Sequence, residues 1–557
     1  MTDLKSKDVR EDVASRGSEE SPCDRVSDSL DRVATRFPDK PAFCIGEQSI
    51  TYGDLCRSAD QMALGLIDLG IGPGDRVAVW LSNRIEWLQL FHAVARIGSV
   101  LVPISTRFKA EEARQLLAHS GASALVMADQ YAGTDFVALL DEIAPGLMTR
   151  GQSDRLPSMR TVILAAGSWP AGVQAVPIER LFCVDPTLWQ HAARLRERRA
   201  AVMADDPFLI QYTSGTTGLP KGAILSQRNF ARTGYEVGCA QGLTPEDRFF
   251  SPAPYFHVSG TMHAFVAPLA HGATVYSIER YDIELVLRTI SERGCTVYHG
   301  FNFFKDFFAR HQDYAGRYDL SSLRRAWTTG TEVDLRRITA LGVQVCSLYG
   351  LSETTGCTTL CSSDDPLETR IGTVGRPLPG IEVRIEPGTL GGPSPAPGAS
   401  GEIQIRGWNL MRGYHDMPVE TAAAFDAEGW FRTGDLGAID AQGRLCFLGR
   451  IKELIRTGGE NFSPLEVENL LRQHAAVADA CVVGVPDERL GEVAVAMVLP
   501  RPGQVPGASA LIEHCRARIA SYKVPRAIHL LESFPMTGNN KVRRFEIRAL
   551  ARSLYHG

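Results

Sequence analysis

The sequence predicts an α/β protein: a large N-terminal part of parallel-rich sheets flanked by helices, and a small C-terminal α/β domain. From residue 24 onward, apolar runs of strand length alternate with amphipathic runs of helix length, the pattern of parallel sheets connected through helices. Hydrophobic residues are 44% and charged residues 22% of the 557, enough for a large core, which excludes a disordered or fibrous chain. After residue 453 the alternation starts afresh over roughly a hundred residues, an ordinary domain length.

Residues 1–23 are charged on nearly every turn and read as a disordered leader. They lack the apolar core of a secretory signal and carry too many acids for a transit peptide. Residues 28–37, DSLDRVATRF, set Leu30, Val33 and Phe37 on one helical face. Residues 49–52 read as a strand and 54–69 as an amphipathic helix. Pro73, Gly74 and Asp75 turn the chain into strand 76–81, followed by helix 86–97, strand 99–103, helix 110–119 and strand 122–128. Residues 144–160 mix Pro, Gly, Ser and Asp and cross the surface. Residues 386–401, EPGTLGGPSPAPGASG, are too rich in Gly and Pro for a helix and make a long turn between two strands. Residues 449–453 form a third boundary. Beyond it, 465–473 and 509–519 have helical spacing, and 478–485 and 492–499 read as strands. Domain limits follow at 1–23, 24–449 and 450–557.

Lys and Arg number 59 against 64 Asp and Glu, a net charge of −5, without the basic excess of a nucleic-acid binder. The twelve cysteines are scattered and form no dense disulfide framework. Cys346, Cys357 and Cys361 lie near one another but form no CxxC pair, so they read as buried reduced thiols rather than metal ligands. No apolar run approaches the ~18 residues that cross a bilayer. A cytoplasmic, small-molecule enzyme is the expectation, and a homodimer is compatible with it.

The strongest local feature is FLIQYTSGTTGLPKG, 208–222. A strand over 208–212 opens into a loop where Gly215 and Gly218 free backbone N–H groups to point inward. Thr213, Ser214, Thr216 and Thr217 add hydroxyls and Lys221 adds a positive charge, a nest suited to a polyphosphate. Pro220 and Gly222 flank Lys221 where a Walker A loop needs Gly and Ser or Thr, and 222–225 reads as a second strand. The loop therefore closes a β-hairpin, with no helix N-terminus behind the phosphate. On composition alone, a plain surface hairpin reads equally well.

YTSGTTGLPKG resembles, almost letter for letter, the phosphate loop of the adenylate-forming enzymes, which include acyl-CoA synthetases, adenylation domains and luciferases. YGLSET, 349–354, is similar to the family's adenine and phosphate segment. There Tyr349 would stack on the purine, Glu353 would hold Mg²⁺ and the Thr354 hydroxyl would reach the α-phosphate. GWFRTGD, 429–435, resembles the segment whose carboxylate, here Asp435, receives both ribose hydroxyls. GRIKELI, 449–455, resembles the inter-domain hinge, with Arg450 on the nucleotide and Lys452 as the pivot. Gly458, Gly459 and Glu460 begin a stretch that lines the pantetheine tunnel in thioester-forming members. PMTGNNK, 535–541, places Lys541 at the catalytic lysine, with Asn540 where the family usually has Gly. PYFHVSG, 254–260, is similar to the Phe-His segment of acyl- and aryl-CoA ligases. His257, Phe301 and Gly330 fall where relatives bind the acyl group, and Gly330 is also the one match to the family's adenine loop, which would hold the nucleotide; 298–304 and 328–332 otherwise depart from the usual sequences there.

The resemblance implies an acyl-CoA synthetase-like fold and an ATP-dependent carboxylate–CoA ligase. A carboxylate attacks the α-phosphorus of ATP to give acyl-AMP and pyrophosphate, and the thiol of coenzyme A then displaces AMP. The implied substrate is a fatty or aromatic acid, since Phe256-His257 offers no carboxylate to an α-amino group. No general base is needed, because the attacking carboxylate is already ionised at neutral pH. Three alternatives stand beside this. They are an enzyme that loads a carrier protein, a phosphoryl-transfer ATPase or kinase, and a binding protein without catalysis.

Overall fold

A computed structural model describes residues 23–167, 172–213, 220–300, 303–309, 316–328, 332–386, 400–458, 460–536 and 541–556. The leader expected at 1–23 lies outside these, except for Cys23.

Two seven-stranded sheets form the N-terminal part. One carries, in spatial order, Gln344–Cys346, Arg325–Trp327, Val297–His299, Arg248–Phe250, Thr274–Ser277, Pro41–Ile45 and Gln48–Thr51. The other carries Lys221–Ser226, Pro207–Thr213, Val100–Pro103, Arg76–Trp80, Ala124–Ala128, Thr161–Ala166 and Val176–Pro177. Each is parallel except for one antiparallel edge pair: Pro41–Ile45 with Gln48–Thr51, and Pro207–Thr213 with Lys221–Ser226. Such sheets need both faces covered. The helices Val26–Arg36, Tyr52–Asp68, Ile85–Ile97 and Gln227–Ala240 supply residues to a core shared with both sheets, in which Phe43 and Val275 meet Val77, Leu101 and Phe208. Leu30 and Val33 point into it as expected, with Phe37 packed at its border. The helix expected at 54–69 starts at Tyr52, because the Thr51 hydroxyl accepts the Asp54 N–H at 3.0 Å and caps it.

A four-stranded antiparallel sheet follows: Ile381–Glu386, Gly401–Gly407, Phe431–Ile439 and Leu445–Arg450. The first two pair as Glu386↔Glu402, so the Gly/Pro-rich segment does join two strands; residues 387–399 themselves lie outside the described ones. Arg450 belongs to the last strand rather than to the expected boundary loop, and a short 3₁₀ turn, Ile451–Glu453, comes after it.

In the C-terminal domain Val477–Asp487 and Gly491–Pro500 form a long antiparallel ribbon, widened by Ile455–Thr457, Glu460–Phe462 and the parallel strand Ala527–Leu530. Helices Pro464–Arg472, Ala508–Arg516 and Arg544–His556 cover it. Ser463 caps the first of these and Pro464 occupies its first turn. The cores divide cleanly: the apolar clusters of the larger part reach Phe447, and those of the smaller start at Ile455. Among the described residues no helix is long and apolar enough to cross a membrane.

Candidate active site

Thr213 pairs with Lys221 across the predicted hairpin. Ser214, Gly215, Thr216, Thr217 and Gly218 lie outside the described residues. At Gly222 a Cβ would stand 2.7 Å from the Ile210 side chain, so only glycine passes there. Lys221 leaves the hairpin with its Nζ 5.0 Å from the ring centre of Tyr414, a cation–π contact. The Tyr414 hydroxyl in turn donates to Glu353 Oε1 at 3.0 Å. Glu353 stands in the 3₁₀ turn Ser352–Thr354, and its carbonyl accepts the Met411 N–H at 2.7 Å. This turn is held tight by Gly350, where a Cβ would come within 2.4 Å of the Gly356 carbonyl oxygen.

Within the turn the structure separates two hydroxyl residues. Thr354 is fully buried, and its Oγ1 accepts the Leu351 N–H at 2.8 Å and faces the Leu351 carbonyl at 3.2 Å. It is spent on the loop and not turned to a ligand, which corrects the expectation that it reaches the α-phosphate. Ser352, next to Glu353, remains partly exposed. The alternation Tyr-Gly-x-Ser-Glu could have singled it out.

Asp435 and Arg450 lie directly opposite each other on neighbouring strands, where cross-strand side chains meet. Arg450 Nε stands 3.0 Å from Asp435 Oδ1, out of hydrogen-bond alignment, so this buried oxygen keeps its accepting capacity. Asp435 Oδ2 accepts from the Tyr349 hydroxyl at 2.7 Å. Burial raises the Asp435 pKa above the ordinary carboxylate value, with Arg450 and the Tyr349 hydrogen bond opposing it. Tyr349 is buried and stacks on Phe447 with ring centres 5.8 Å apart.

Lys541 comes from the C-terminal domain, yet the charges that act on it include those of the N-terminal part. It is exposed. Desolvation by the surrounding protein lowers its pKa and Arg450 lowers it further, while Asp435, Glu353 and Glu453 pull it back up. Lys541 also reaches His257 electrostatically. Asn540 lies outside the described residues. Lys452 is exposed at the 3₁₀ turn; partial burial and Arg450 lower its pKa, against Glu453 and Asp435.

His257 Nδ1 accepts the Ser259 N–H at 3.2 Å, which leaves its proton on Nε2. Its pKa falls to about 4, first by desolvation and then through Lys541 and His263. Phe301 and Gly330 lie outside the described residues. Gly458, with φ +59°, donates its N–H to the Leu490 carbonyl at 2.8 Å, and exposed Glu460 opens the strand Glu460–Phe462. Gly459 lies outside the described residues. The structure thus gathers Lys221, Tyr349, Glu353, Asp435, Arg450, Lys452, Lys541 and His257 into one region. Tyr414, His263 and His299 also belong to it and went unnoticed, since a lone Tyr or His has no spacing to betray it. Among the described residues no His, Cys, Asp or Glu group could hold a metal ion by itself.

A family profile described as AMP-binding enzyme matches residues 30–415, and a second, AMP-binding enzyme C-terminal domain, matches residues 466–541. The chain belongs to the AMP-binding enzyme family. YngI of Bacillus subtilis (strain 168), named as an acyl-CoA synthetase, is 35% identical over 534 residues, 93% of this chain and 95% of its own. The mitochondrial medium-chain acyl-CoA ligase ACSF2 of Mus musculus is 31% identical over 543 residues, 94% of this chain and 87% of its own. Among solved structures, the Mycobacterium tuberculosis fatty acyl CoA synthetase superposes with a TM-score of 0.68 at 27% identity, over 96% of this chain and 100% of that one. This member is an adenylate-forming carboxylate–CoA ligase. It joins an acid to coenzyme A at the expense of ATP and releases AMP and pyrophosphate.

Proposed function

We propose that this ligase activates a medium-chain or aromatic carboxylic acid, and that Lys541 is its adenylation lysine. One observation carries the assignment: a lysine of the C-terminal domain stands within electrostatic reach of Asp435, Glu353 and His257 of the N-terminal domain. The substrate class draws support from the medium-chain relative and from the lack of a carboxylate at Phe256-His257.

Two anions must meet, the acid and the triphosphate. Lys541, Lys221 and the 213–218 loop would offset their repulsion and the charge that builds on the α-phosphate and the departing pyrophosphate. Asp435 would receive the ribose hydroxyls, one on Oδ1 and one more weakly on Oδ2, with Tyr349 and Arg450 holding the carboxylate in place. Ser352 would present its hydroxyl to the α-phosphate, while Thr354 keeps the turn closed. His257 Nε2–H would donate to the acyl carboxylate. Mg²⁺ takes oxygen ligands, and Glu353 fits it, since Tyr414 uses only one carboxylate oxygen; bound there, it would neutralise phosphate charge. After adenylation the 450–557 domain would turn about Lys452, carry Lys541 away and bring Gly458, Gly459 and Glu460 to the pantetheine arm. That none of the twelve cysteines is joined in a disulfide supports a reducing, cytoplasmic setting.

The test is a screen of short, medium, long and aromatic carboxylates with ATP and magnesium, with and without coenzyme A. Pyrophosphate and AMP from medium-chain or aromatic acids, with thioester only when coenzyme A is present, are the expected outcome. Formation of ADP, or failure on the whole panel, overturns it.

A further inference from the structure

The segment that carries Lys541 is clamped just below the lysine. Met536 and Val542 bridge its two legs, the Arg543 N–H donates to the Pro535 carbonyl at 2.8 Å, and Arg543 Nε donates to the Met536 carbonyl at 2.9 Å. Residues 537–540, between the legs, lie outside the described residues. Arg544 follows as the first residue of the helix Arg544–His556. It stands three residues after Lys541, no more than about 11 Å of extended chain. Whatever fixes Arg544 therefore limits where the lysine can go.

Each nitrogen of the Arg544 guanidinium has its own partner, and the partners come from three elements. Nη2 donates to Glu468 Oε1 at 2.6 Å, on the helix Pro464–Arg472. Nη1 donates to the Val482 carbonyl at 2.9 Å, on the ribbon strand Val477–Asp487. Nε forms an ion pair with Glu453 Oε2 at 3.2 Å, in the 3₁₀ turn Ile451–Glu453. The first two contacts serve the packing of the domain, since Glu468 is buried and its Oε1 also accepts the Val482 N–H at 2.8 Å. The third has no such use. The turn Ile451–Glu453 buries no residue, and Glu453 adjoins Lys452. An ion pair there seals no core. It ties the turn to the lysine segment through a planar group whose donor directions are fixed.

Resting on the adenylation role of Lys541 and the pivot at Lys452, we infer that Arg544 and Glu453 are positioning residues: their ion pair sets the reach of Lys541 from the pivot, so that domain rotation delivers the ammonium to the α-phosphate. Neither side chain touches the reacting atoms. Accurate delivery matters because a displacement of about 1 Å can lower a rate roughly a hundredfold. It matters in adenylation alone, since Lys541 is carried away before the thiol attacks.

The test uses full-length wild type, Glu453→Gln, Arg544→Lys and the double variant. Each half-reaction is followed over a range of pH. One is the pyrophosphate burst from acid, ATP and magnesium; the other is thioester formation from supplied acyl-AMP and coenzyme A. A pure charge effect and a positional effect differ in this profile. Glu453, Asp435 and Glu353 raise the Lys541 pKa against Arg450, and His257 also lies within electrostatic reach. Losing the Glu453 charge therefore lowers that pKa. Adenylation needs the protonated lysine, so this effect only moves the basic limb of the profile to lower pH. Misplacement of the lysine instead lowers the plateau below that limb. In Glu453→Gln the plateau rate of adenylate formation is expected to fall by about tenfold to a hundredfold. Half-saturating ATP and the thioester step should each stay within about twofold of wild type. In the double variant the plateau loss should match the larger single loss, because both changes break one pair. The inference fails if Glu453→Gln keeps the wild-type plateau; its partly exposed carboxylate can be changed without opening a core. It also fails if both half-reactions fall together, or if the two losses multiply. If Lys541→Ala leaves adenylation intact, the assignment of the lysine fails first and takes this inference with it.

Discussion

Asp435 offers the sharpest energetic test of the nucleotide site. It is 1% exposed, its Oδ2 already receives the Tyr349 hydroxyl at 2.7 Å, and its Oδ1, beside Arg450, has no hydrogen-bond partner among the described residues. A hydrogen bond to a charged acceptor is worth about 1.5–3 kcal/mol. Oδ1 can supply one such bond to the ribose, and Oδ2 a weaker, shared one. Replacing Asp435 with Ala should therefore cost about 2–4 kcal/mol of ATP binding, a rise of roughly thirtyfold to a thousandfold in KM for ATP. kcat at saturating ATP should change far less, because the ribose is held equally in ground and transition states. The assay is the initial rate of pyrophosphate release against ATP concentration, run in parallel with dideoxy-ATP lacking both ribose hydroxyls. Wild type with dideoxy-ATP should lose about as much as Asp435→Ala with ATP, and combining the two changes should add little. If the two losses multiply, or if KM for ATP stays put in a folded variant, Asp435 does not hold the ribose.

Three further outcomes are expected. Lys541→Ala should slow adenylate formation by about two to three orders of magnitude, the usual size of one lost oxyanion donor, yet still pass a supplied acyl-AMP to coenzyme A; equal loss of both half-reactions would contradict its role. Lys452→Pro, which fixes φ at the pivot, should arrest one domain arrangement and spare a single half-reaction, and wild-type behaviour in both would remove the pivot. His92 is buried on the helix Ile85–Ile97 with neither ring nitrogen partnered, and burial lowers its pKa from 6.5 to about 3. Its contribution to stability is complete above the unfolded-state value and is lost as pH falls, because only the unfolded chain takes the proton. His92→Phe should thus remove about 2 kcal/mol of the destabilisation between roughly pH 7 and pH 5, read from urea midpoints; an unchanged acid slope would contradict it.

Long periodic segments were legible in the sequence, and short or oddly placed ones were not. The strand–hairpin–strand at 207–226 could be read because a seven-residue apolar run, a Gly/Thr loop and a second apolar run leave one solution. Strands of three residues such as Ile455–Thr457 and Glu460–Phe462 hold too few alternations to rise above chance, and the helix Arg544–His556 was missed although its spacing is regular. Of the residues that the structure brings together, Lys541, Glu353 and Asp435 stand in strings that the sequence makes conspicuous. Tyr414 and His263 do not, because they matter through partners 61 and 93 residues away. Thr354 misled for a related reason: a hydroxyl beside a functional Glu is as useful to its own turn as to a ligand.

Arg450 has a double position. It is the last residue of its strand and faces Asp435, the proposed ribose carboxylate, and Lys452, the proposed pivot, comes two residues later. On the proposed function, the axle of the swinging domain would thus be mounted on the nucleotide's own cradle, with almost no slack between them. Departure of AMP would loosen the mounting and the bearing in one event, so resetting for the next cycle would be timed by the leaving product rather than by a separate signal.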